Sequence, residues 1–135
     1  MAGTTENGLD DEARELFAGG NFVHLATVLP DGAPHSVPLW TIVEDGRIAF
    51  FTQPGSRKAR NLARDPRVAL SVVDRNNAYH SAWARGRVAE RLEGDAALEV
   101  IDRLSQAYIG APFPMRSGSV YLVQVDRSAT QTLPF

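Results

Sequence analysis

A small antiparallel β-barrel with short flanking helices is the architecture this sequence predicts. Six β-rich runs are separated by polar turn signals, among them Pro30-Asp31-Gly32, Glu44-Asp45-Gly46 and Arg75-Asn76-Asn77. The strands do not alternate with long helical patterns, as parallel βαβ units would require. With 135 residues, 44% of them apolar and 22% charged, the chain is read as a single domain able to bury a core. Residues 1–20 form an N-terminal segment with a short helix, and residues 21–135 form the barrel domain.

Residues 1–8 are read as a disordered start. The segment 11–18 reads as a helix, because acids occupy its first turn and Gly19-Gly20 supply a left-handed end. The runs 21–29, 35–43 and 47–52 read as three strands in an antiparallel meander, since Asp-Gly between apolar runs is a strong hairpin signal. A basic helix then follows Pro54-Gly55, with Ser56 as its N-cap and Pro66 as its stop.

Strands follow at 68–74 and 79–91. The second alternates Tyr79, Ser81, Trp83, Arg85 and Arg87 on one face with His80, Ala82, Ala84, Gly86 and Val88 on the other. The small residues of that second face predict close packing against something large, and Gly86 marks a bend. Asp95 is read as the cap of a helix with apolar positions at Ala97, Val100, Ile101, Leu104 and Tyr108, ending at Gly110. The last strand is 119–125, followed by a tail from Ser128 to Phe135.

The net charge of -2 argues against a dedicated nucleic-acid binder. With no cysteine, disulfides, thiolate metal sites and a cysteine nucleophile are all excluded. His24, His35 and His80 lack ligand spacing, so no metal site is expected. No Ser-His-Asp arrangement suggests hydrolysis. No apolar run approaches the roughly 18 residues of a membrane span, and the polar start is no signal peptide, which makes the cytoplasm the expected location.

The chemistry concentrates at the strand-to-helix corner. Ser56 caps one amide, which leaves other first-turn amides and the positive end of the helix dipole facing one spot. Arg57 and Lys58 add cations there, and Thr52 and Ser56 add hydroxyls. Such a cluster suits a phosphate. The plain alternative is a solvated helix, with Arg60, Arg64 and Arg67 on its wet face and Arg67 pairing Asp65.

Two stretches carry a family resemblance. One is Phe-Thr-x-x-x-Ser-Arg-Lys-x-x-Asn-Leu-x-x-Asp-Pro-Arg-Val at 51–68, and the other is Leu-Ala-Thr-x-x-x-Asp-Gly-x-Pro-His at 25–35. In that order they resemble the flavin-binding split-barrel family that includes pyridoxamine phosphate oxidase, especially its small members that use FMN or the deazaflavin coenzyme F-420. The resemblance implies a six-stranded split barrel and a homodimer with cofactor between its subunits. It makes Thr52, Ser56, Arg57 and Lys58 the phosphate residues. The strand carrying Val37, Pro38 and Trp40 runs along the cofactor ring, and Trp83 and the C-terminal tail approach it, the partner chain being one source. Arg60 and Arg67 are candidates for the acidic tail of coenzyme F-420.

The oxidase's arginine and lysine on the second strand are missing from 35–40, its glutamine is replaced by Ser81, and its C-terminal arginine and histidine are absent from 129–135. The cofactor pocket is therefore expected to carry over and the vitamin B6 substrate is not. The function implied is hydride transfer through coenzyme F-420, narrowly preferred, or FMN to a small organic acceptor. The alternative is a non-catalytic flavin-binding or electron-transfer protein. No catalytic base is required, because the ring supplies the chemistry; Tyr79, His80 and Tyr108 are the candidate proton donors.

Overall fold

The computed structural model describes residues 8–134, so the expected disordered start falls outside the described residues except for Gly8. In chain order the elements are α1 (Asp11–Ala18), β1 (Val23–Val28), β2 (Pro34–Leu39), β3 (Ile42–Glu44), β4 (Arg47–Thr52), α2 (Arg57–Arg64), β5 (Arg67–Asp74), β6 (Asn77–Leu92), α3 (Gly94–Ile109) and β7 (Ser119–Thr132). Seven strands form one sheet in the order β2-β1-β5-β6-β7-β4-β3, with every pairing antiparallel.

The expected meander is corrected here. The run 35–43 is two strands, because the chain breaks at Trp40-Thr41 and its halves lie on opposite edges of the sheet. β2 pairs with β1, whereas β3 pairs with β4. In a flat sheet the two edges would stand roughly 29 Å apart, at about 4.8 Å per strand. Leu39 and Ile42 are joined by three Cα steps, which span at most about 11 Å. The sheet must therefore curl until its edges meet at Trp40-Thr41, and it remains split beyond that corner.

Thr41 fixes the junction. Fully buried, it donates its hydroxyl to the Phe17 carbonyl at 2.8 Å, and its amide donates to the Tyr108 hydroxyl at 3.0 Å. One end of α1 and one end of α3 are thereby tied to the place where the sheet closes.

Two apolar clusters follow from strand alternation. The barrel interior holds Leu25, Ile48, Phe50, Val72, Tyr121 and Val123, and α1 plugs it with Leu9, Ala13, Leu16 and Phe17. Ala82 and Ala84 belong to this cluster, which accounts for the small face of the fifth run. The second cluster lies under α3, where Ala97, Val100, Ile101 and Leu104 cover Ile42, Ala49, Val120 and Leu122. β7 thus sends alternate side chains into both clusters, and its apolar run is continuous for that reason.

Two boundaries also differ. α3 starts at Gly94, with Glu93 at the N-cap position and no side-chain cap, so Asp95 lies in the first turn. The Glu93 carboxylate instead accepts from the Ser119 hydroxyl at 2.8 Å and pairs with Arg91. β7 continues to Thr132 because β6 pairs with it as far as His80, and the expected tail is mostly strand.

Candidate functional site

Strand β4 ends at Thr52, Gln53-Pro54-Gly55 turns the chain, and Ser56 starts α2 with its hydroxyl accepting from the Ala59 amide at 3.1 Å. Gly55 adopts φ +84 with open space around the position a Cβ would take, so the turn is exposed and intolerant of other residues. The Thr52 and Ser56 hydroxyls are bonded to each other at 2.9 Å, and Thr52 is buried. The pair therefore shapes the corner from beneath.

What faces outward is a set of donors. Among the described residues, the Ser56 amide bonds to Gln53 O and the Arg60 amide to Ser56 O, leaving the Arg57 and Lys58 amides without a partner. Neither side chain of that pair is in an ion pair with a described residue. Arg60 folds back, donating to the Gly55 carbonyl at 3.1 Å. Two free amides and two unneutralised cations at a helix start match the donor chemistry a phosphate monoester needs.

The helix is held against the barrel by one buried and one exposed polar contact that its sequence does not announce. Asn61, fully buried, donates to the Thr27 hydroxyl at 2.9 Å. Arg64 donates to the Val28 carbonyl and to Asn61 Oδ1, so it clamps α2 to β1. Arg67 pairs with Asp65 at 2.7 Å and holds that carboxyl at a pKa of about 2. Asn61→Ala is expected to cost about 1–2 kcal/mol in denaturant unfolding, because it leaves the buried Thr27 hydroxyl without its partner.

Partial burial lowers the pKa of Lys58. A bound anion favours the ammonium form and raises that pKa again. Affinity for a phosphate-bearing ligand is thus complete below the free-state pKa and falls as pH rises through the bound-state value. Titrations through the alkaline range up to and past the ordinary lysine value of about 10.4 should show this decline. Lys58→Ala should flatten it.

The remaining predicted residues lie elsewhere on the surface. Val37 and Pro38 are on edge strand β2. Trp40 stacks on Tyr108 with ring centroids 4.9 Å apart and stands edge-on to Phe113 at 5.9 Å. Trp83 lies 40% exposed on the outer face of β6, with the Arg85 guanidinium 4.8 Å from its ring centroid. It borders a groove of about 460 Å³ that also takes in His24, Ala26, Ser36, Ser71 and Arg85. The corner residues Thr52, Ser56, Arg57, Lys58 and Arg60 line none of this groove. Within one protomer, Trp83 and the corner thus share no groove among those the described residues line.

Of the candidate proton donors, Tyr108 uses its hydroxyl to donate to Asn21 O and to accept from Thr41 N, and burial raises its pKa. His80 Nδ1 is bonded to Thr132 Oγ1 at 2.8 Å.

An antiparallel split barrel with an anion-receptive strand-to-helix corner places the chain among the split-barrel proteins. The family model described as pyridoxamine 5'-phosphate oxidase matches residues 9–132, and the chain belongs to that family. The pyridoxine/pyridoxamine 5'-phosphate oxidase of Chromobacterium violaceum is 34% identical over 99 residues, covering 72% of this chain and 42% of the relative. That of Bacteroides thetaiotaomicron is 29% identical over 96 residues, covering 70% and 41%. The chain therefore spans about two fifths of the length of these curated relatives.

Among solved structures, an F420 reductase is 27% identical with a TM-score of 0.71, covering 86% of this chain and 94% of the neighbour. A conserved hypothetical protein of Mycobacterium tuberculosis is 28% identical with a TM-score of 0.77, covering 92% and 88%.

Proposed function

We propose that this protein is an oxidoreductase that binds coenzyme F-420 or FMN by its phosphate at the Thr52–Lys58 corner and passes a hydride to a small organic acceptor. The observation that carries the reading is the corner itself, where the amides and cations of Arg57 and Lys58, unpartnered among the described residues, open the helix that the Thr52–Ser56 pair anchors. The likeness to an F420 reductase over 94% of that neighbour supports the deazaflavin as the preferred cofactor. The absence of the vitamin B6 substrate residues, with Ser81 standing in place of the oxidase's glutamine, argues against pyridoxamine phosphate oxidation.

When bound, such a cofactor would supply two electrons and one proton together as hydride, the acceptor taking its second proton from solvent once the site reopens. The chain's own work is then to hold the phosphate at Arg57 and Lys58, to orient the ring along β2 at Val37, Pro38 and Trp40, and to exclude water. We place Trp83 against the ring bound by a partner subunit in a cytoplasmic homodimer, because it is exposed beside an open groove and lies away from its own corner.

Titrating the purified protein with each cofactor tests the assignment. Micromolar binding of coenzyme F-420 is expected, and micromolar FMN binding with no deazaflavin binding would reverse the preference. A second reading, a non-catalytic flavin carrier, is favoured by the engagement of the Tyr108 hydroxyl with Asn21 O and Thr41 N, which leaves that candidate donor bonded within the protein. Turnover decides between them: reduced cofactor that no organic acceptor reoxidises would establish the carrier.

A further inference from the structure

A second, smaller cavity of about 190 Å³ lies on the other side of β4 from Thr52, lined by Leu39, Trp40, Phe51 and Phe113. Every lining side chain is mainly apolar and three of the four are aromatic. Phe51 alternates with Thr52 along β4, so the cavity and the phosphate corner occupy opposite faces of the same strand end. We infer that this cavity seats a single aromatic ring of the electron acceptor, an inference that rests on the oxidoreductase reading above.

Size and lining select that class. A cavity of roughly 150 Å³ lined by apolar side chains accepts benzene, and this groove, at about 190 Å³ and open to solvent, has room for one ring with a small substituent but not for a fused polycycle. Phe113 stands edge-on to both Phe51, at 5.1 Å and 80°, and Trp40, at 5.9 Å and 81°. A flat ring entering here meets aromatic neighbours at edge-to-face and offset geometries, which aromatic pairs favour. The lining side chains offer one polar group, the Trp40 indole N–H, so the buried portion of the ligand must be mainly apolar.

The wall that carries Phe113 is held to both neighbouring elements. Arg116 is paired with Asp102 of α3 at 2.8 Å, and the Ser105 hydroxyl donates to the Ala111 carbonyl. On the other side Gln53, next to Thr52 at the corner, donates to the Ser117 carbonyl at 2.7 Å and accepts from the Ser117 hydroxyl at 3.3 Å. Gly118 comes so close that a Cβ there would lie 3.2 Å from Thr52 O and 3.4 Å from Phe51 Cδ2, at φ +135. The loop between α3 and β7 is therefore fastened to the strand end that carries the phosphate corner. It holds the ring pocket and the corner in one fixed relation.

The chain has two tryptophans, so in Trp83→Phe the only indole is Trp40, inside the proposed pocket. Nitrobenzene, which quenches indole emission, is titrated into this variant, with toluene as a non-quenching competitor. The expected result is saturable quenching that toluene reverses. Phe113→Ala should weaken the saturable phase at least tenfold. Arg116→Ala removes only an exposed ion pair and leaves the lining intact, and it should weaken the phase about threefold while circular dichroism stays unchanged. Purely linear quenching, or an equal saturable phase in Phe113→Ala, would overturn the pocket. The unmodified chain is titrated in parallel with coenzyme F-420 and FMN. Cofactor binding with linear quenching overturns the pocket alone, and saturable quenching without binding of either cofactor overturns the oxidoreductase reading and the acceptor role with it.

Discussion

Lys58→Ala is expected to weaken cofactor binding by about 1.5–3 kcal/mol, the size of a hydrogen bond to a charged group, which is roughly a 10- to 150-fold rise in Kd. The ammonium is unusually consequential here because it is partly desolvated, as its lowered pKa shows, and has no ion-pair partner among the described residues. A bound phosphate would be its sole counter-charge. Arg60→Ala should cost less, because its guanidinium is already engaged with the Gly55 carbonyl. The fold should barely respond to either change, since surface substitutions of this kind usually lie within about 0.5 kcal/mol. Cofactor titration with an unfolding curve for each variant checks both halves. Unaltered affinity in Lys58→Ala would remove the phosphate from this corner.

Gly86→Ala should lower stability by about 3 kcal/mol, the upper end of the range for overpacking. A Cβ at position 86 would sit 2.0 Å from the Gln124 carbonyl oxygen, 2.9 Å from its carbon and 3.0 Å from Val125 Cα. All three are backbone atoms, so no side chain can swing away. The register of β6 against β7 also shifts between Arg85 and Gly86, where Arg85 faces Arg127 and Gly86 faces Val125. The glycine thus allows the two longest strands to cross closely at a bulge. Urea unfolding of the variant tests this, and a midpoint shift smaller than that of Asn61→Ala would show that the strands have room to separate.

The corner was legible because it is local. Thr52, Ser56, Arg57 and Lys58 lie within seven residues, and cap, turn and charge can be read from neighbours. The same holds for the helical spacing of Ala97, Val100, Ile101 and Leu104, which is the face that α3 buries. Gly86 could be flagged as a bend, yet only its closeness to the Gln124 carbonyl shows what would collide with a side chain there. The run 35–43 misled for a related reason. Val37, Leu39, Trp40, Ile42 and Val43 favour strand on both sides of the break, and Pro38, which suits an edge strand, lies before Trp40-Thr41 rather than at it.

Caps, turns and alternation arise from interactions within a few residues, so the family, the mainly antiparallel β architecture and the strand-turn-helix corner can be read along the chain. The placement of β2 and β3 on opposite edges, the tie of α2 to β1 through Asn61 and Arg64, and the open groove shared by Trp40, Phe51 and Phe113 emerge only in the folded molecule. Those contacts join residues tens of positions apart, as Asn61 to Thr27 and Thr41 to Tyr108 do. They exist because a sheet whose edges are linked by two residues must curl, and the curl brings together what the chain keeps apart.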